Sequence, residues 1–274
     1  MIRETVALTR RELLRIGRNP QAIITSLLLP ILYLVLFGQG FNLSSALPPN
    51  ALAVAVNGAP SYFSYFSAGM AGFVAVTATL FIGANVIFDR LFGVLKRISS
   101  TPASPISIFG SRLIAGTIQP IALAFLVLGL AIGLGHVGLN GLDVTASVGV
   151  LGAVQILLAI VILSVMFASL FLAIGFSIEQ PQTYFAVVNA INLPVLLTSA
   201  ALYPWGILPG WMRTLASYNP ITLAVEVIRI NLFRGAGAWY PHSGWFYLLG
   251  LVGWAAAMIL LATLLARRAL APRP

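Results

Sequence analysis

The feature that most constrains this chain is a series of long segments that contain no Asp, Glu, Lys or Arg. A helix needs about 20 apolar residues to cross a bilayer. The first segment is long enough for two such helices and each of the others for one. The uncharged segments are residues 19–88, 113–142, 144–178, 180–212 and 235–266.

These segments predict an all-α polytopic membrane protein with six transmembrane helices in a single domain over residues 1–274. The composition agrees, because 8% of the residues are charged, against about 25% in soluble domains. The predicted spans are Ala22–Phe41, Ser67–Phe88, Leu113–Leu134, Ser147–Ile178, Thr183–Leu202 and Gly244–Ala266.

The basic residues indicate the orientation. Of 15 Lys and Arg residues, five precede the first span, four lie in or beside residues 89–105, and three follow the last span. Only Arg213, Arg229 and Arg234 fall on the other side. Cytoplasmic loops carry an excess of Lys and Arg, so both termini are predicted to be cytoplasmic. The net charge of +9 then reflects topology and contact with anionic membrane lipid, and no nucleic-acid partner is expected.

Residues 1–19 predict an amphipathic elbow helix on the cytoplasmic surface of the membrane. Its apolar stripe repeats at helical spacing and is surrounded by arginines. The alternative is a leader that anchors the chain to lipid without any coupling role. The stripe consists of Ile2, Val6, Thr9, Leu13 and Ile16, with Arg3, Arg10, Arg11, Arg15 and Arg18 around it.

Residues 89–105 form a charged island between the second and third spans. At about 100° per residue, one side of a helix would carry Asp89, Arg90, Lys96 and Arg97, and the other Leu91, Val94, Leu95 and Ile98. Such a helix is expected to lie at the membrane surface with its charges in water. It would be stiff enough to pass mechanical work into the membrane.

The connector of residues 203–243 predicts external helices that dip partway back into the membrane before the last span. Asn219 and Pro220 are followed by the apolar stretch 221–233, which is too short and too charged to cross a bilayer. Within it, Glu226 and Arg229 are one helical turn apart and can pair. The alternative is an ordinary surface hairpin.

No catalytic or metal-ligating set is evident. A phosphate-binding loop needs a lysine after its glycines, whereas the one lysine, Lys96, follows Leu95. His136 and His242 stand alone, Asp89 and Asp143 are predicted on opposite sides, and there is no cysteine. An intramembrane enzyme is therefore a weak hypothesis, and no cofactor is expected in this chain.

The predicted spans contain polar side chains but no ionisable ones, which disfavours an ion-coupled secondary transporter or a channel. Amides and aromatic rings in the spans are candidates for lining a substrate pathway. The alternative is that the amides, which include Gln119 and Gln155, join helices by hydrogen bonds. The candidate pathway residues are Tyr33, Phe73, Phe81, Asn85, Tyr184, Asn189 and Asn192.

Over nearly its whole length the chain resembles the membrane subunits of type-2 ABC exporters, which include daunorubicin-resistance-like and lipo-oligosaccharide export permeases. The resemblance is most specific in the island, which reads Asp89-Arg90, Gly93-Val94-Leu95, Lys96-Arg97 and Thr101-Pro102-Ala103-Ser104-Pro105. Lys96 stands where many members have glutamate. The pair Asn219-Pro220 and the downstream Arg229 also resemble the external part of the family pattern.

The resemblance implies that the island is a coupling helix docked on a separate ATP-binding subunit, flanked by the elbow helix and the Glu179 turn. Two ATPases, holding ATP and Mg, would assemble with two permeases, identical or paralogous, and the first, second and fifth spans would line the path. The implied contact residues are Asp89, Arg90, Phe92, Gly93, Leu95, Lys96, Arg97, Thr101, Pro102, Glu179, Arg10 and Arg11.

The resemblance further implies outward transport in a prokaryotic cytoplasmic membrane. The neutral, aromatic and amide-bearing residues of the spans favour an amphipathic or hydrophobic substrate such as a drug or a lipid. The alternative is a polysaccharide or lipo-oligosaccharide exporter.

Overall fold

The computed structural model describes residues 2–18, 20–40, 56, 58–94, 97, 105–137, 139–233 and 242–270. In this part of the chain the regular secondary structure is helical throughout. The helices are α1 (Ile2–Gly17), α2 (Pro20–Tyr33, continued by a π-helical segment Leu34–Gln39), α3 (Tyr62–Thr77), α4 (Leu80–Leu91), α5 (Pro105–His136), α6 (Val150–Ser177), α7 (Pro181–Leu197), α8 (Gly210–Tyr218), α9 (Pro220–Leu232) and α10 (Gly244–Leu270).

Four helical stretches in the described residues are long and apolar enough to cross a membrane. They are Tyr62–Leu91, which joins α3 and α4, and Ser107–His136, Val150–Ser177 and Gly244–Leu265. They coincide with the second, third, fourth and sixth predicted spans. The first and fifth predicted spans coincide with α2 and α7. Of these, the first contains a shorter apolar stretch, Leu27–Gly38. The count of six therefore stays a prediction.

Local sequence signals explain where several helices begin. Ser61 caps α3 by accepting a hydrogen bond from the Ser64 backbone N–H at 3.1 Å. Asn219 caps α9 in the same way through the Ile221 N–H, and Pro220 occupies the first turn. Pro181 likewise opens α7. The first turn of a helix leaves its backbone N–H groups unpaired. Ser61 and Asn219 accept hydrogen bonds from such groups, and proline has no N–H to leave unpaired, so these residues mark helix starts in the sequence.

Helix α6 lies at the centre of the bundle and packs against α3, α4, α5, α9 and α10. Its closest approach is to α4, where a Cβ atom on Gly83 would overlap the Phe171 carbonyl oxygen and one on Gly175 would overlap the backbone of Gly83. Small residues permit this separation. Helices α2 and α7 contact few of the other helices and stand at the edge of the bundle.

The charged island does not continue α4 as one uninterrupted helix. Helix α4 ends at Leu91, and Gly93 adopts a left-handed φ of +69° before helical structure resumes at Val94. Asp89 is 3% exposed, so the expectation that it faces water on a surface helix is wrong. It belongs to the last turn of the second span. Leu95, Lys96 and residues 98–104 lie outside the described residues.

The connector before α10 folds as two helices with very different exposure. Trp211, Leu215 and Tyr218 of α8 are exposed, whereas eleven of the thirteen residues of α9 are buried. Burial of α9 against α3, α6 and α10 excludes the ordinary surface hairpin. The predicted pair is present, with Arg229 Nη1 at 2.9 Å from Glu226 Oε1.

Candidate functional site

A cavity of about 660 Å³ opens between the edge helices and the centre of the bundle. Its walls come from α2, the α3–α4 stretch, α5 and α7. Most of the lining is apolar or aromatic, with side-chain amides spaced among the rings. Six of the seven residues predicted to line a pathway border this cavity, namely Tyr33, Phe73, Phe81, Asn85, Asn189 and Asn192.

Tyr184 is the seventh, and it does not line the cavity. Its side chain is fully buried, and its hydroxyl donates to the Leu80 carbonyl oxygen at 2.6 Å. The ring also packs on Phe185, which contacts Phe81 edge-on at 6.3 Å between ring centroids. Tyr184 therefore holds α7 against α4 and shapes the cavity wall from behind.

One end of the cavity is closed by charged residues from three helices, which we call the Asp89 cluster: Glu12, Arg15, Asp89 and Arg112. Asp89 accepts from Arg112 Nη2 at 2.6 Å and from Arg15 Nη1 at 3.0 Å. Glu12 Oε2 is 3.9 Å from Arg15 Nη1. The cluster joins α1 to the end of α4 and the start of α5, and its formal charges sum to zero.

Arg90, next in the chain, ties the same end of α4 to the end of α6. Its guanidinium donates to the Ile178 carbonyl at 3.1 Å and to the Phe176 carbonyl at 2.8 Å. These carbonyls lie at the C-terminus of a helix, where a cation is favoured. Helix α1, the island and the turn that holds Glu179 therefore meet around two consecutive residues.

The residues implied to contact an ATPase separate into four groups. Arg10, Arg11, Phe92, Arg97 and Glu179 are exposed, and Phe92 is 75% exposed. Asp89 and Arg90 are instead engaged inside the protein, while Gly93 forms the turn between helices. Leu95, Lys96, Thr101 and Pro102 lie outside the described residues.

Sequence reasoning missed the charged end of the cavity. The sequence indicates Arg112 only as one of the four basic residues in or beside the island, and Arg15 only as one of the arginines around the stripe of the predicted elbow helix, while nothing in it singles out Glu12. The available signal was positional: Asp89 and Arg112 each stand at the edge of an uncharged segment. Opposite charges at the facing ends of adjacent spans can pair because the hairpin brings those ends together.

The side chains around the cavity are suited to binding a small molecule. Among the described residues no group of three His, Asp or Glu side chains could hold a metal ion. The charged groups at the cavity pair with one another, and the other polar groups are amides and hydroxyls that can form hydrogen bonds. A roomy, mostly apolar cavity with a few polar groups is typical of small-molecule sites.

Comparison with known proteins gives the family. Residues 3–233 match the model of the ABC-2 type transporter family. The ycf38 transport permease of Porphyra purpurea is 30% identical over 232 residues, covering 84% of this chain and 74% of that protein. The daunorubicin resistance ABC transporter permease protein DrrB1 of Streptomyces coeruleorubidus is 24% identical over 231 residues, covering 84% and 75%. The fold, the cavity and these similarities lead to one conclusion: the chain belongs to the ABC-2 type transporter family of membrane permeases.

Proposed function

We propose that this chain is the membrane subunit of an ATP-driven exporter. It would move an amphipathic or hydrophobic molecule outward through the cavity between α2, α4, α5 and α7, while ATP and Mg bind a separate subunit. A second permease, identical or paralogous, would complete the assembly. The cavity is the observation that carries the proposal, because six residues chosen from sequence as pathway candidates border it.

The surface near the Asp89 cluster supports a site for the ATPase. Phe92 presents a large apolar ring to water at the turn between α4 and the resumed helix. Arg90 holds this turn beside the end of α6, and Arg15 holds α1 to the same point. A subunit that pushed on Phe92 would therefore push on α1, α4 and α6 together. A rigid-body tilt needs such a connection.

The names of two similar proteins support an amphipathic or hydrophobic cargo. Two relatives carry names that refer to daunorubicin and doxorubicin resistance. The mostly apolar cavity suits a molecule of similar amphipathic character. By the distribution of basic residues, the Asp89 cluster and both termini would face the cytoplasm of a prokaryotic cell.

The first test is co-purification and transport. The permease is co-expressed with a candidate P-loop ATPase, which we expect to be encoded beside it, reconstituted into vesicles, and assayed with a fluorescent amphipathic dye. We expect the ATPase to co-purify and dye movement to require hydrolysable nucleotide. Dye movement by the permease alone, driven by an ion gradient, would contradict the proposal.

The substitution Phe92→Asp sharpens this test. Loss of a buried aromatic contact is worth about 1.5–3 kcal/mol, so we expect ATPase binding to weaken by about tenfold or more. Membrane insertion should be unchanged because the side chain is exposed. Val137→Asp is the matched control, since Val137 is 71% exposed at the other end of α5. Equal effects of the two substitutions would remove Phe92 from the contact.

A further inference from the structure

Asn192 is the polar residue of the cavity wall whose hydrogen bonding is incomplete. It lies in α7, is 4% exposed and borders the cavity. Its Oδ1 atom is buried without a hydrogen-bond partner. Buried polar atoms are nearly always paired, because leaving one unpaired carries the full desolvation penalty. An unpaired acceptor beside a cavity is explained if a bound molecule donates to it.

A second residue of the cavity lining has a backbone carbonyl without its usual helical donor. Pro120 lies inside α5 and has no N–H to donate to the carbonyl of Gly116, four residues earlier. Gly116 is among the residues that line the cavity. The wall therefore offers hydrogen-bond acceptors on both α5 and α7.

Formal charge in the cavity is already neutralised. Glu12, Arg15 and Arg112 border it, and each is paired within the Asp89 cluster. A cargo with an ionised group would have to replace one of these pairs or place its charge against apolar walls. Both are unfavourable because a desolvated charge needs a partner of opposite sign. A neutral donor group such as a hydroxyl or an amide N–H neither replaces an ion pair nor places a charge against the apolar walls.

We propose that the cavity binds a neutral, largely apolar molecule that donates an O–H or N–H hydrogen bond to Asn192 Oδ1. Asn192 is then a specificity-determining residue, since it discriminates donors from acceptors at the same position. This assignment rests on the proposed function, in which the cavity holds the cargo. It specifies the cargo as a neutral, largely apolar hydrogen-bond donor.

The test compares two probes that differ by one donor. The purified full-length permease, in nanodiscs and without nucleotide, is titrated with 1-pyrenemethanol and with its methyl ether, and binding to empty nanodiscs is subtracted. The ether keeps the oxygen acceptor but loses the O–H. We expect the alcohol to bind about tenfold more tightly than the ether, because the ether leaves Oδ1 unpaired.

Asn192→Leu should abolish this preference while keeping or improving ether binding, since leucine replaces the amide with an apolar group of similar size. Gln182→Leu is the matched control, because Gln182 lies exposed on the same helix outside the cavity lining. Its alcohol preference should equal that of the unchanged protein. A preference that persists in Asn192→Leu would overturn the assignment, and so would equal binding of the two probes to the unchanged protein.

The binding experiment separates this inference from the proposed function. It contains no ATPase, so the alcohol preference can hold even if nucleotide-dependent transport is never found, and the exporter proposal then fails alone. Transport that requires nucleotide but treats alcohol and ether equally would overturn the Asn192 assignment and leave the exporter proposal standing.

Discussion

Two buried arginines lie at opposite ends of the helical stretch Tyr62–Leu91, and they are held in different ways. At one end Arg229 pairs with Glu226 and donates to the carbonyls of Tyr65, Ala200 and Ala201. Its guanidinium also lies 3.4 Å from the centroid of the Tyr65 ring. Both charged side chains are 1% exposed.

At the other end Arg112 donates to Asp89, which also accepts from Arg15. Arg112 borders the cavity, and the Arg15 side chain is 46% exposed. This pairing is therefore open to the cavity and, through Arg15, to the surface. No backbone carbonyl in the described residues depends on Arg112 or Arg15 for its hydrogen bond.

The comparison shows that similar charge pairs have different mechanical consequences. The Arg229 network joins α3, α9 and the turn after α7 through backbone carbonyls, so its loss would remove one donor from several buried acceptors at once. The Asp89 cluster joins α1, α4 and α5 through side chains alone. Its members can exchange partners at lower cost, which suits the end of the molecule where movement is expected.

The largest expected effect comes from Arg229→Met. This change leaves Glu226 and three carbonyls without the guanidinium, and breaking a buried ion pair costs about 3–5 kcal/mol. Stability is measured by SDS-induced unfolding in mixed micelles. Arg11→Met, at an exposed position of α1, should change stability little. If Arg229→Met lowered the free energy of unfolding no more than Arg11→Met does, the Arg229 network would not be the more firmly held end of the stretch.

A second effect of about 3 kcal/mol is expected from Gly69→Ala in the same network. A Cβ atom at Gly69 would overlap the Ala201 carbonyl oxygen, which accepts from Arg229, and overpacking costs about 1–3 kcal/mol or more. Gly253→Ala in α10 is the control, because nothing lies within 4 Å of its Cβ position. The same unfolding assay should show it to be neutral or slightly stabilising. Similar behaviour of both variants would mean that α3 does not need this close approach.

The smallest effects are expected in the Asp89 cluster. Asp89→Asn should cost about 2 kcal/mol, between the limits for buried and exposed pairs, because Arg112 keeps access to the cavity. Arg15→Gln should cost less than about 1 kcal/mol, since that side chain is half exposed. Both values come from the assay used above. A cost for Asp89→Asn as large as that for Arg229→Met would show that this end is equally rigid.

The sequence predicted the helices with the clearest signals. The uncharged segments located four spanning helices to within a few residues at most ends, and Asn219-Pro220 located the start of α9 and, with it, the Glu226–Arg229 pair. These predictions succeed because hydrophobicity and capping are local properties. The helix break at Gly93 was not foreseen, because the apolar pattern of a segment does not report where its helix ends.

The candidate site was predicted in part for a similar reason. Amides and rings inside apolar spans are unusual enough to be selected from sequence, and six of them lie around one cavity. Tyr184 has the same chemistry as Tyr33 but faces the backbone of α4. Which side of a helix meets the cavity depends on how neighbouring helices are rotated, and a weakly amphipathic span does not encode that rotation.

The sequence by itself determined that this chain is a helical membrane protein with a charged segment between its second and third apolar stretches. That follows from the cost of placing charges and unpaired backbone groups in lipid, which acts on each segment separately. Only the tertiary structure decided that Asp89 is buried between Arg15 and Arg112 and that Arg90 donates to carbonyls at the end of α6. It also decided that Asn192 borders a cavity and has a buried oxygen without a hydrogen-bond partner. Those outcomes depend on contacts between residues far apart in the chain, where the geometry of packing selects one partner among several of suitable charge.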